Sequence, residues 1–179
     1  MKTPLIYGLY LALSGLLLNV ALYFTGFHSD VDKLTSSQWI GGGIGLVLGI
    51  VFIVLGIKAR RSEVPATEEF GYGRALGTGV MISVFSCVFG IVTNFLYMRV
   101  INPGFREVII QAQANKWEAA GMSSDRIEKA EQMMRSPVGA ILNAVFIIIF
   151  IMIINTLISL VAAAFLKRPA TGDQPPAAI

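Results

Sequence analysis

The chain has 179 residues, of which 55% are hydrophobic and 14% charged, with a net charge of +3 and a mean hydropathy of +0.69. Soluble domains carry about 25% charged residues, and a chain this short cannot hide such an apolar surplus in one water-borne core. A soluble enzyme, a disordered chain and a disulfide-stapled secreted domain are excluded, the last because Cys87 is the single cysteine. What remains is an integral membrane protein.

A spanning helix needs about 20 apolar residues, since unpaired backbone groups are too costly in hydrocarbon. Four segments reach that length, 5–27, 39–57, 76–98 and 138–166, and none holds Asp, Glu, Lys, Arg or His. No segment alternates polar and apolar residues as a membrane barrel does. The first run is longer than a signal-peptide core and lacks a small-x-small cleavage site, so it is read as a retained helix. Lys2, Lys58, Arg60, Arg61, Arg74, Lys167 and Arg168 flank one set of span ends, against Lys33 in the opposite short loop. That asymmetry predicts both termini in the cytoplasm.

Between the third and fourth spans lies an insert, 102–136, with helical punctuation. Asn102-Pro103 reads as an N-cap with Pro at the first helical position. Gly121 reads as a stop, and Ser124-Asp125 with Glu128 as a second start. Ile127, Ala130 and Met134 form a short apolar stripe. The predicted fold is therefore all-α and polytopic. Four transmembrane helices form one domain over 1–168, an external helical hairpin joins the third and fourth, and the tail 169–179 is expected to be disordered.

In lipid, helices associate through small residues and interhelical hydrogen bonds. Gly41, Gly45 and Gly49 form a doubled GxxxG run in the second span. Gly79, Ser83, Ser86 and Gly90 form a stripe in the third. Both are expected to pack within the bundle, with a homodimer contact through the second span as the alternative. Asn19, Asn94 and Asn143 fall at similar depth, about 6–12 Å inside their span ends at a rise of about 1.5 Å per residue. They are expected to share a polar layer with Thr93, as structural glue or as the floor of a path.

No grouping of residues announces catalysis. His28, beside Ser29 and Asp30, reads as a solvated interfacial ring, and Cys87 as an inert thiol inside a span. There is no metal-ligand spacing, nucleotide loop or HExxH helix, so no cofactor or metal is expected. Lys58, Arg60 and Arg61 anchor the second span, with anionic headgroups as their alternative partner. Tyr72 and Arg74, flanked by Gly71 and Gly73, are further candidates for headgroup or partner contact.

The stretch Glu68-Glu69-Phe70-Gly71-Tyr72-Gly73-Arg74-Ala75-Leu76-Gly77, together with Ile101-Asn102-Pro103 and Ser136-Pro137, resembles a bacterial membrane family. That family is catalogued as the domain of unknown function numbered forty-one ninety-nine. The resemblance runs from Tyr7 to Arg168 and implies four membrane helices without an assigned activity. The expected role is a non-enzymatic accessory, scaffold or assembly factor. Its partners would be the bilayer and a protein bound through 102–136, not nucleic acid. The alternatives are a small transporter or channel built on the asparagine layer, and a lipid-modifying enzyme using Glu68, Glu69 and Arg74.

Overall fold

A computed structural model describes residues 2–170. It contains α1 (Lys2–Phe24), α2 (Leu34–Ser62), α3 (Tyr72–Leu96), a π-helical turn over Tyr97–Ile101, α4 (Phe105–Ala119), α5 (Ser124–Arg135) and α6 (Pro137–Leu166). α1, α2, α3 with its π turn, and α6 are each long and apolar enough to cross a membrane. The fold is all-α and polytopic, as expected. The helices overrun the apolar segments because polar residues such as Thr35, Ser36 and Gln38 continue the hydrogen-bonded turns. Apart from Pro169 and Ala170, the tail lies outside the described residues.

The chain divides into two compact units, each built from segments of the same four long helices. The first comprises the described residues of Met1–Ala12, Val47–Phe89 and Ile151–Ile179. Its core holds Ile53, Ile57, Val64, Phe70, Ala75, Ile82, Ala162 and Ala163. Glycine lets the backbones approach closely here. A Cβ added at Gly8 would lie 2.6 Å from Phe85 Cβ and 2.9 Å from both the Ile82 carbonyl oxygen and the Ser86 nitrogen. One added at Gly56 would strike Ile82 and Tyr7, and one at Gly79 would strike the Ser159 side chain. At Gly49 it would meet Asn155 Oδ1 at 3.1 Å. Ser83 and Ser159 spend their hydroxyls on carbonyls one turn back, Gly79 O at 3.0 Å and Asn155 O at 2.7 Å, and so bury no unpaired donor.

A backbone pairing closes this unit. Phe70 N donates to Arg168 O at 2.9 Å and Arg168 N donates to Phe70 O at 2.8 Å. The Arg168 guanidinium then reaches the carbonyls of Val64 at 2.9 Å and Pro65 at 2.8 Å. These carbonyls follow the C-terminus of α2, where cations are favoured. Thr3 donates to the Glu63 carboxylate, which also accepts from Arg60 at 2.5 Å.

The second unit comprises Leu13–Leu46 and Gly90–Phe150. Here α4 and α5 form the expected helical hairpin. Its turn is closed by Gly121, whose φ of +77° lies in the left-handed region that favours glycine, and Met122 N donates to Trp117 O at 3.0 Å. Arg135 engages both oxygens of Glu107, one of them at 2.7 Å. Arg106 donates to Met134 O at 2.6 Å and Ser136 O at 3.3 Å. Ile127, Ala130 and Met134 are half-buried, whereas α5 buries no residue fully. The expected caps are corrected: α4 starts behind Gly104 and α5 behind Ser123, neither with a side-chain capping bond. Asn102 is occupied elsewhere, as described below.

The Gly8 contacts give a direct test within one helix. Gly8→Ala should lower stability in mild detergent by about 1–3 kcal/mol, because the struck atoms include backbone that cannot rotate away. Gly15→Ala, which has nothing within 4 Å of the added Cβ, should be neutral or slightly stabilising. Thermal unfolding of the two variants makes the comparison.

Candidate functional site

The most organised polar group of the second unit starts where α3 fails to continue as an α-helix. Pro103 has no N–H and disfavours a helical residue before it, and Asn102 accordingly leaves the helical region at φ −135°, ψ 75°. Asn102 N donates to Tyr97 O at 2.8 Å, the wide closure of a π turn. Tyr97 is thereby buried to 1% exposure.

The Asn102 amide nitrogen donates to the Tyr97 hydroxyl and to His28 O, both at 3.3 Å. The Tyr97 hydroxyl lies 2.6 Å from His28 Nδ1. The His28 ring stacks on Phe105, with centroids 4.2 Å apart and planes at 24°, and Tyr97 meets both rings edge-on. His28 itself is only 4% exposed. The expectation of a solvated ring is corrected: its polar neighbours in sequence suggested water, but Tyr97, Asn102 and Phe105 enclose it. Burial pushes the imidazole pKa below its ordinary value, so the ring is neutral at physiological pH.

Neutrality and the hydrogen-bond pattern fix the tautomer. The Tyr97 hydroxyl already accepts from Asn102, and its own proton finds its acceptor at His28 Nδ1. A buried hydroxyl left without an acceptor would be costly. His28 therefore carries its proton on Nε2. That atom has no protein partner among the described residues. His28 forms part of the wall of a cavity of about 210 Å³, along with Asn19, Leu22, Leu34, Ser37 and Phe105.

A family profile described as protein of unknown function (DUF4199) matches residues 6–168. The chain belongs to this family. No curated protein and no solved structure matches it. What this DUF4199 protein does must therefore be argued from its own geometry. Among the described residues, no group of three or more His, Cys, Asp and Glu is placed to hold a metal ion.

The other sequence candidates are distributed as follows. Asn19 is half-buried on the cavity wall, Thr93 is half-buried and bonds Gly90 O at 3.2 Å, and Asn94 and Asn143 are exposed. No hydrogen bond joins these four among the described residues. Equal depth places residues at one level, but rotation about each helix decides whether they face one another. Gly49, Gly79, Ser83 and Ser86 are buried, and Gly41 faces Leu22 at 3.5 Å for an added Cβ. Gly45 and Gly90 have nothing within 4 Å. Arg60 pairs with Glu63, Arg61 donates to Leu166 O at 3.5 Å, and Arg74 pairs with Glu68 at 3.3 Å while reaching Glu69 O at 3.2 Å. Tyr72 donates to Leu160 O at 3.4 Å, and Lys58 is exposed. The two features that sequence reasoning missed, buried His28 and the π turn, had one available signal: Asn102-Pro103 directly after an uninterrupted span.

Removing the Tyr97 hydroxyl leaves His28 Nδ1 without a partner and takes one of the two acceptors of the Asn102 amide, which keeps His28 O. Tyr97→Phe should therefore cost about 1–3 kcal/mol of stability by thermal unfolding in detergent. The pH response follows from the lowered His28 value. The unfolded chain takes up a proton below about pH 6.5 while the folded ring resists it. Stability should be level above that pH and fall as pH drops below it. In His28→Phe this segment of the pH profile should flatten, as measured by melting temperature across pH 5–8.

Proposed function

We propose that this protein is a non-enzymatic accessory or assembly factor that holds another polypeptide within and beside a bacterial inner membrane. The observation that carries this reading is Asn143. Its side chain is exposed on α6, with no hydrogen-bond partner among the described residues. Around it Ile141, Leu142, Val145 and Phe146 are exposed as well. An amide turned towards hydrocarbon leaves two donors and an acceptor unpaired, at a cost of several kcal/mol. Lipid tails offer nothing to relieve that cost, whereas a neighbouring helix does. Asn94, exposed on α3, adds a second amide with the same need.

The hairpin supports the same reading from outside the spans. It is pinned through Arg135 and Arg106, yet the outer face of α5 carries exposed Asp125, Arg126, Glu128 and Lys129. A rigid surface of mixed charge favours recognition of a protein over binding of a uniformly charged membrane face. The Lys and Arg asymmetry of the short loops supports both termini in the cytoplasm and the hairpin outside.

A photoreactive residue in place of Leu142, introduced in native membranes, tests this. The expected result is a discrete protein adduct. Its yield should fall about fivefold when Asn143→Leu removes the amide and recover in Asn143→Gln, in keeping with about 1 kcal/mol per interhelical bond. Adducts with lipid alone would overturn the reading, as would solute flux through purified protein in liposomes above that of empty vesicles.

A further inference from the structure

The cavity beside His28 has a division of labour among its walls. Asn19, His28, Ser37 and Gln38 supply polar groups, and Leu22, Leu34 and Phe105 supply apolar surface. Ser37 is 2% exposed and His28 4%. Neither the Ser37 hydroxyl nor His28 Nε2 has a protein hydrogen bond among the described residues, and the Asn19 amide likewise has none. These three groups border one space and none is spent within the protein, so each is available to a partner that enters that space.

The His28 ring is fixed on its other sides, by the Tyr97 hydroxyl at Nδ1 and by the face of Phe105. This is the arrangement by which a second set of contacts orients a binding group. The tautomer derived above makes Nε2 a donor, so the matching atom on an occupant is an acceptor. None of the wall residues carries a charge, which disfavours an ion because a bare charge would be desolvated without a counterpart.

We propose that this cavity binds a neutral molecule carrying an oxygen acceptor, a carbonyl or hydroxyl, on a small apolar body. The oxygen accepts from His28 Nε2, with Ser37 and Asn19 completing its hydrogen bonds. The apolar body lies against Leu22, Leu34 and Phe105. A volume of about 210 Å³ suits an occupant of this kind, since an apolar protein cavity of about 150 Å³ already accepts benzene. The same chemistry is offered by a freely diffusing aryl or short-chain carbonyl compound and by the ester region of an uncharged lipid. This inference is independent of the Asn143 contact, and neither stands or falls with the other.

The test uses the full chain in mild detergent, with para-fluoroacetophenone as probe and para-fluoroethylbenzene, which lacks the oxygen, as control. Binding is followed by fluorine NMR. The expected result is saturable binding of the ketone at least about tenfold tighter than of the hydrocarbon, the equivalent of one buried hydrogen bond. Ser37→Leu, which fills the space, should abolish it. His28→Phe keeps a ring against Phe105 and should reduce the preference for the ketone to near unity. A parallel nitrogen NMR measurement on wild-type protein should show the His28 Nε2 resonance moving with ketone and not with hydrocarbon. Native mass spectrometry separates the sources. Uncharged lipid retained by wild-type protein, displaced by ketone and absent from Ser37→Leu, identifies the lipid ester; ketone binding without retained lipid identifies the free compound. Equal binding of ketone and hydrocarbon, no saturation, or an unmoved Nε2 resonance would overturn the proposal and leave the cavity to water alone.

Discussion

A helix surrounded by hydrocarbon gains little from setting one leucine against another, so its cohesion must come from how closely backbones approach. The first unit depends on this constraint. Gly8, Gly56 and Gly79 sit where any Cβ would strike a neighbour, and the serines beside them return their hydroxyls to their own helix. Dispersion over many short contacts then replaces the hydrophobic drive of a water-borne core. The large apolar side chains of α6, such as Phe146, Phe150 and Phe165, are correspondingly exposed.

Because the spans exclude charge, specific polar chemistry collects at their ends and in the loops. In the first unit it takes the form of Arg168 on the carbonyls of Val64 and Pro65. In the second it takes the form of Tyr97 and Asn102 around His28. Both devices satisfy groups that the end of a helix leaves unpaired. Each leaves a nitrogen over: Arg168 Nε is buried without a partner in the first, whereas in the second the unspent nitrogen belongs to His28, a residue of the cavity wall.

Hydropathy made the four spans legible, and punctuation at Gly121 made the hairpin legible, because both depend on local sequence alone. Asn102-Pro103 was readable as a boundary but not as which boundary. It ends the preceding helix, since the amide finds its partners at Tyr97 and at His28, a residue 74 positions away. His28 was misread for the same reason: Ser29 and Asp30 argue for water, and only distant Phe105 and Tyr97 bury the ring. The asparagines teach a related lesson. Rise per residue fixes depth along a helix, but the direction in which Asn94 and Asn143 point depends on how each helix is rotated by its packing.

The pairing of Phe70 with Arg168 joins the loop after α2 to the far end of α6. A ribosome delivers these residues nearly one hundred positions apart. Phe70, Ala75 and Ile57 can be inserted early, but the partner that seals their side of the core emerges only after α6 has been made. The first unit thus reaches its final form only once α6 has followed α3 through the intervening hairpin. Until then the loop carbonyls of Val64 and Pro65 lack their guanidinium, and arrival of Arg168 becomes a condition of closing the unit.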